Sequence, residues 1–304
     1  MTALLDDARV SSPFLLDNTQ AYEEWRAQKL AAYPQYASGL IVEVTDPRVL
    51  SKSEKMLMLN LLNQSNMLIY NSKLGSLEDK DIPRKLGEQL GLQHLDPNML
   101  ADDDGITSLS VVPGKLKRGY IPYSDRRLLW HTDGYYNKPE QQIRAFILHC
   151  VRPAAEGGEN GLIDPEMLYI QLRDTNPDYI RALMHPQTMT IPANTESGEI
   201  TRPAQSGPVF SLDFATNCLH MRYTARTRSI EWRDDPLTKQ AVDCIASLLD
   251  DENPYVFNHI LASGQGLICN NVLHSRTAFS DTNAAGGGRL LYRARYYERV
   301  SDDL

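Results

Sequence analysis

The sequence predicts an α+β fold, mainly β, built as a sandwich or jelly roll with helices at its start and inserted later. Three observations carry this. Helix-like segments gather before residue 93, and eight short apolar strand-like segments separated by Gly, Pro, Asn and Asp dominate the rest of the chain. Strands and helices also do not alternate as a parallel βαβ sheet would require.

Taken in order, AYEEWRAQKLAAY (21–33) reads as a surface helix. SKSEKMLMLNLL (51–62) reads as a second, with Ser51 or Ser53 as N-cap and Glu54 in its first turn. NMLIYN (66–71) is short, apolar and flanked by polar residues, so a strand. Residues 82–92 form a helix, with Pro83 tolerated in the first turn and Gly91 near the end. Strands are expected at 106–112, 144–151, 185–191, 208–214, 218–223, 255–260, 264–270 and 289–297. Helices at 165–173 and 236–249 interrupt them. Two loops stand out: GKLKRGYIPYSDRR (114–127), which lacks periodicity, and DTNAAGGG (281–288), with three consecutive glycines. Nothing marks a boundary, so one domain is expected over 1–304, with helical decoration over about 1–60.

The chain has 304 residues, 42% hydrophobic and 23% charged, an ordinary soluble composition. Its net charge of −8 is the wrong sign for nucleic-acid binding; the small cluster Lys115, Lys117 and Arg118 reads as a solvated loop. No apolar run approaches the ~18 residues of a membrane span. Asp6, Asp7 and Arg9 interrupt the N-terminal stretch, so no secretory signal is expected there. Four widely spaced cysteines form neither a disulfide framework nor a zinc ribbon. A reduced, cytoplasmic protein is expected.

The informative peptide is Trp130-His131-Thr132-Asp133-Gly134. In a strand, residues two apart share a face, so His131 and Asp133 can converge on one ion. That is half a metal site. Among the other histidines, His274 stands apart: it closes GLICNNVLH and is followed by a strand with three arginines. Two histidines and a carboxylate on one face leave three coordination positions open, the pattern of non-haem Fe(II) oxygenases, whereas zinc favours a tetrahedral set. Arg289, Arg293 and Arg295 share a face if their strand is unbroken. Buried guanidinium groups there need anions, and Arg binds carboxylates bidentately.

The ordered segments WHTDGYY, PAAEGGENGLI, NNVLHSRTAF and RLLYRARY, with a distal His about 140 residues after HxD and an Arg 10 to 20 residues later, resemble the Fe(II)/2-oxoglutarate dioxygenases of the taurine dioxygenase-like (TauD/TfdA) superfamily. The resemblance covers roughly residues 60–298. It implies a double-stranded β-helix (jelly roll) core and a homo-oligomer. It also implies His131, Asp133 and His274 as iron ligands, Arg289 as the salt-bridge partner of 2-oxoglutarate, and Arg293 as a grip on the substrate's anionic group or a co-anchor of the cosubstrate. The family often places Thr or Ser after Gly-Gly-x; here Asn160 stands there, and its amide can donate the same hydrogen bond. Tyr135 and Tyr136 are candidate pocket residues, Asn270 or Asn271 candidates to orient the ligands. Arg222 and Arg226 could reach an anionic substrate, but read first as surface ion-pair residues.

The expected activity is hydroxylation of a C–H bond in a small anionic or zwitterionic molecule (organic acid, amino acid or sulfonate), consuming O2 and 2-oxoglutarate and releasing succinate and CO2. Two rivals use the same residues: a zinc-dependent hydrolase, and a non-catalytic barrel binding a small anion through its arginine strand.

Overall fold

The computed structural model describes residues 12–97, 104–111, 123–196, 199–228, 230–250, 252–281 and 287–300. Most of the 114–127 loop, with Lys115, Lys117 and Arg118, lies outside the described residues, as does most of the glycine-rich loop. The elements are a mixture of helices and mainly antiparallel strands. The chain divides into two compact units, one formed by Met1–Tyr33, Gly134–Lys138 and Ile163–Val256, the other by Pro34–Asp133, Pro139–Leu162 and Phe257–Leu304.

The second unit carries ten strands and two helices that matter for the site. They are β1 (Ile41–Val44), β2 (Met67–Ser72), β3 (Thr107–Leu109), β4 (Leu128–His131), β5 (Ala145–Arg152), β6 (Asn160–Ile163), β7 (Phe257–His259), β8 (Gln265–Cys269), β9 (Leu273–Arg276) and β10 (Leu290–Tyr296). One sheet runs β1-β2-β8-β5-β10-β3, antiparallel except for the β1–β2 pair; the other runs β7-β6-β9-β4. β5 and β10 are buried along almost their whole length, which places them at the centre of the larger sheet. The helix at Lys52–Ser65 starts on a complete capping box: Ser51 Oγ accepts from the Glu54 N–H, and Glu54 accepts from the Ser51 N–H. It ends at Asn66 in the left-handed region. Leu62 and Met58 then anchor it in the core beside Leu68 and Tyr70 of β2. The next helix, Asp81–Gln89, stops before Gly91, whose φ of 80° suits only the left-handed region.

In the first unit the helix Thr19–Ala32 is fastened by Lys29, whose ammonium group meets Asp164 at 2.7 Å and Glu166 at 2.5 Å in a buried cluster. Asp164 also caps the helix Pro165–Thr175.

Several strand expectations shorten. Of 185–191, only Met189–Ile191 is a strand, because His185 to Thr188 finish the helix Pro177–Leu183: Thr188 Oγ1 donates to Ala182 and His185 carbonyls. That helix escapes the sequence pattern, as do β1 and the antiparallel pair of Asn194–Glu196 with Glu199–Arg202. No described helix is long and apolar enough to cross a membrane.

Gly266 of β8 sits between Tyr70 and His149 in the sheet register. A Cβ there would collide with the Tyr70 ring and the Leu148 carbonyl oxygen. Gly266→Ala is therefore expected to cost at least about 1–3 kcal/mol, read as a lowered urea midpoint at unchanged m-value.

Candidate metal centre and anion sites

Antiparallel pairing of β4 with β9 sets His131 directly opposite His274, and their ring centroids lie 4.2 Å apart. Asp133 joins them, though not as a strand residue. The β4 ladder ends at His131, and Asp133 occupies the turn beyond it. Shared strand face is thus not what brings the pair together. One potential ligand atom from each of the three residues lies within 4.8 Å of the others, and all three side chains are buried.

Both imidazoles are fixed by their own strands. His131 Nδ1 faces the Leu129 carbonyl at 2.9 Å, and His274 Nδ1 faces the Val272 carbonyl at 3.0 Å. A carbonyl only accepts, so each Nδ1 carries the proton and each Nε2 presents a lone pair. Burial pushes His131 down to about 3, with the neighbouring His274 adding to the effect. Burial lowers His274 as well. Both rings are neutral at physiological pH.

For Asp133, burial alone would raise the carboxyl. The guanidinium groups of Arg293 and Arg295 outweigh it and hold the group below the usual carboxylate range. Asp133 Oδ1 meets Arg293 Nη1 at 3.4 Å, while buried Oδ2 has no hydrogen-bond partner among the described residues. Two nitrogen lone pairs and an ionised oxygen without a donor make a set that fits a divalent cation.

The arginine strand resolves into different environments. Arg293 and Arg295 pair in register with Leu148 and Phe146 of β5, but the register shifts between Leu290 and Leu291. Arg289 lies beyond that irregularity, outside the strand, so the odd-number parity does not extend to it. Arg295 is held by Asp96, which also accepts from Tyr297. Arg293 is buried, with Asp133 as its carboxylate and its Nε without a partner among the described residues.

Arg289 is 6% exposed. Its backbone N–H donates to Asp281 Oδ2, and its guanidinium lies 5.0 Å from the centre of the Phe279 ring. It shares a small cavity with Cys150, Gly157, Gly158, Asn160 and Leu291. Asn160 Nδ2 donates to the His259 carbonyl at 3.2 Å. Arg276, not singled out by the sequence, approaches Phe279 from 4.7 Å and donates to the Ser124 and Arg126 carbonyls.

Arg222 departs from its reading as a surface ion-pair residue. It is buried, and its guanidinium donates to the Tyr135, Met189 and Gln205 carbonyls. Of the two asparagines before His274, Asn270 binds Asn66 and the Val300 N–H, whereas Asn271 binds the backbone of Asp133.

The comparisons with known proteins define the class, the non-haem iron oxygenases. The sequence model described as taurine catabolism dioxygenase TauD, TfdA family matches residues 34–295, and the chain belongs to that family. It is a 2-oxoglutarate-dependent dioxygenase that uses Fe(II) and acts on small molecules. Neither the zinc hydrolase nor the non-catalytic barrel stands against that membership. The chain is 29% identical over 205 residues to a uridine-5′-phosphate dioxygenase of Amycolatopsis, spanning 61% of this chain and 72% of that protein. Similar folds include the non-haem iron oxygenase OrfP with Fe and alpha-ketoglutaric acid, at TM-score 0.57, 16% identity and coverage of 81% and 80%. AAD-2 with Mn(II) and N-oxalylglycine has TM-score 0.60, 12% identity and coverage of 88% and 98%. Asparagine oxygenase with Fe(II), 3-hydroxyasparagine and succinate has TM-score 0.54, 15% identity and coverage of 76% and 74%.

The neutral imidazoles give the metal-free protein a defined pH dependence. Between pH 6.5 and 3 the unfolded chain protonates His131 while the folded chain resists. Stability therefore falls as pH drops through this window, by at most about 1.4 kcal/mol per pH unit for each such group. The lowered Asp133 carboxyl adds a loss of the same sign at more acid pH. Urea midpoints measured with chelator present should fall from pH 6.5 to 4, less steeply in His131→Gln.

Proposed function

We propose that His131, Asp133 and His274 hold Fe(II), that Arg289 anchors 2-oxoglutarate with Asn160 beside it, and that the enzyme hydroxylates a small anionic or zwitterionic molecule. The observation that carries this reading is the buried triad itself: two imidazoles each bonded through Nδ1 to a backbone carbonyl, opposite an ionised aspartate whose Oδ2 has no hydrogen-bond partner among the described residues. The six- and four-stranded sheets are read as the two sheets of a double-stranded β-helix (jelly roll).

Iron with 2-oxoglutarate and O2 supplies the oxidant for C–H hydroxylation, with release of succinate and CO2. The protein does the rest. His131 and His274 stay neutral because protonation in this buried pair is unfavourable, so they remain ligands across the physiological range. Arg293 and Arg295 keep Asp133 ionised. Arg289 offers a buried guanidinium that donates to no protein oxygen among the described residues, and the distal carboxylate of 2-oxoglutarate supplies the missing acceptor. Asn160 lines the same cavity.

Arg293 is the group through which an anionic substrate is recognised. It stands against the Asp133 carboxylate with Nε unused, so an anion brought there meets a positive charge next to the metal. Carboxylates, sulfonates and phosphates all satisfy it. The relative named for uridine 5′-phosphate makes a nucleoside monophosphate one member of this class.

Anaerobic addition of Fe(II) and 2-oxoglutarate should produce a visible charge-transfer band, abolished or altered in Asp133→Ala; no band with the intact protein counts against the triad. Arg289→Met removes one partner of a buried charge pair, a loss of about 2–5 kcal/mol. It should raise the 2-oxoglutarate concentration for half-maximal band intensity about 30-fold or more. Organic acids, amino acids, sulfonates and nucleoside monophosphates screened for succinate release identify the substrate; failure of every anion to stimulate it would overturn the substrate class.

A further inference from the structure

The sheet ladder places His131 and His274 but stops short of Asp133. Something else must fix that residue's backbone, and one side chain does. The Asp133 N–H donates to Asn271 Oδ1 at 2.8 Å, and Asn271 Nδ2 donates to the Asp133 carbonyl at 3.0 Å and the Ile143 carbonyl at 2.6 Å. The two peptide groups flanking the Asp133 Cα are thereby held by one amide, much as a neighbouring strand would hold them. Asn271 is 2% exposed, so these bonds form away from competing water.

Its position in the chain gives the contact meaning. Asn271 sits in the left-handed region, φ 52°, at the turn between β8 and β9. Val272, next in sequence, supplies the carbonyl that orients His274. A single turn therefore positions the aspartate through a side chain and the distal histidine through a backbone oxygen. Only an amide meets the requirement, because the site needs an acceptor for one N–H and donors for two carbonyls. Aspartate lacks the donors, and aliphatic residues lack both.

We infer that Asn271 is a positioning residue that sets the third ligand, Asp133, in register with the histidine pair before metal binds. This rests on the proposed triad. The adjacent Asn270 provides a matched comparison, since it makes buried hydrogen bonds in the same turn but to Asn66 and Val300.

The experiment is anaerobic titration of the chelator-treated protein with Co(II), following the d–d absorption, alongside thermal melting. Asn271→Asp keeps shape and backbone tolerance; Asn271→Gly is at ease at positive φ. Both are expected to bind Co(II) about 10–100-fold more weakly than wild type, with an altered band, as for other residues that support a metal ligand. Asn270→Ala should lose melting temperature while keeping wild-type affinity. Wild-type Co(II) affinity in both Asn271 variants would overturn the inference whatever their melting temperatures. Equal weakening in Asn270→Ala would overturn it too, showing only a destabilised turn. Absence of Co(II) binding by wild type, or retention of binding in His131→Ala, would instead sink the triad. Hydrogen exchange of the metal-free wild type tests the clamp without any variant: the Asp133 amide should be strongly protected, and exchange at exposed-loop rates would overturn it.

Discussion

The register between β4 and β9 is the constraint on which the centre depends. Side chains alternate faces along a strand, so a slip of one residue would turn His274 away from His131. The pairing is defended on both sides. Before it, the turn through Asn270 and Asn271 fixes where β9 begins; after it, a register irregularity between His274 and Arg276 ends the regular ladder. Each imidazole is bonded through Nδ1 to a carbonyl two residues earlier in its own chain segment, so backbone register is transmitted directly to the position of Nε2. On the proposed reading, metal affinity is a property of strand pairing before it is a property of ligands.

Charge arrangement derives from the same geometry. An aspartate buried beside two neutral rings would ordinarily take up a proton, which would spoil it as a ligand. The central strand β10 prevents this by carrying Arg293 and Arg295 on the face that meets Asp133. Arg295 in turn needs Asp96, whose backbone N–H also binds the Arg295 carbonyl. The long buried strand that forms the middle of the sheet is thus also the electrostatic support of the site. Sheet stability and carboxylate ionisation draw on the same residues.

The parts legible in the sequence were those whose chemistry is carried by residue type. His131, Asp133 and His274, which the fold brings together, stand out because few residue types can ligate a metal, and the helix after Ser51 because its capping box is a local pattern. What failed was inference from regular geometry. Asp133 reaches the site through a turn held by a residue 138 positions away, and no period records such a contact. Parity joined Arg289 to Arg293 and Arg295, yet the irregularity at Leu290–Leu291 lies between them. Arg222 looked like a surface charge because hydropathy cannot see three carbonyls converging on one guanidinium. Asn271 was visible as a candidate by its place before His274, but its choice over Asn270 required the direction of both side chains.

Hydrogen-bond partners sort the buried arginines more sharply than sequence position does. A buried guanidinium must find acceptors or an anion, and the cost of leaving it alone is several kcal/mol. Arg222 has three carbonyls, Arg276 two, and Arg295 a carboxylate. Arg173 is likewise occupied by backbone oxygens and the Tyr169 hydroxyl. Among the described residues Arg289 donates to no protein oxygen and rests on an aromatic ring, while Arg293 has a 3.4 Å contact with the Asp133 carboxylate and an Nε that, like that of Arg276, lacks a hydrogen-bond partner. On the proposed reading the dicarboxylate cosubstrate meets Arg289 and an anionic substrate meets Arg293. The difference is one of degree: protein oxygens take at least one side-chain donor of Arg222, Arg276, Arg293 and Arg295, and none among the described residues takes one from Arg289, which therefore has the most to gain from an anion.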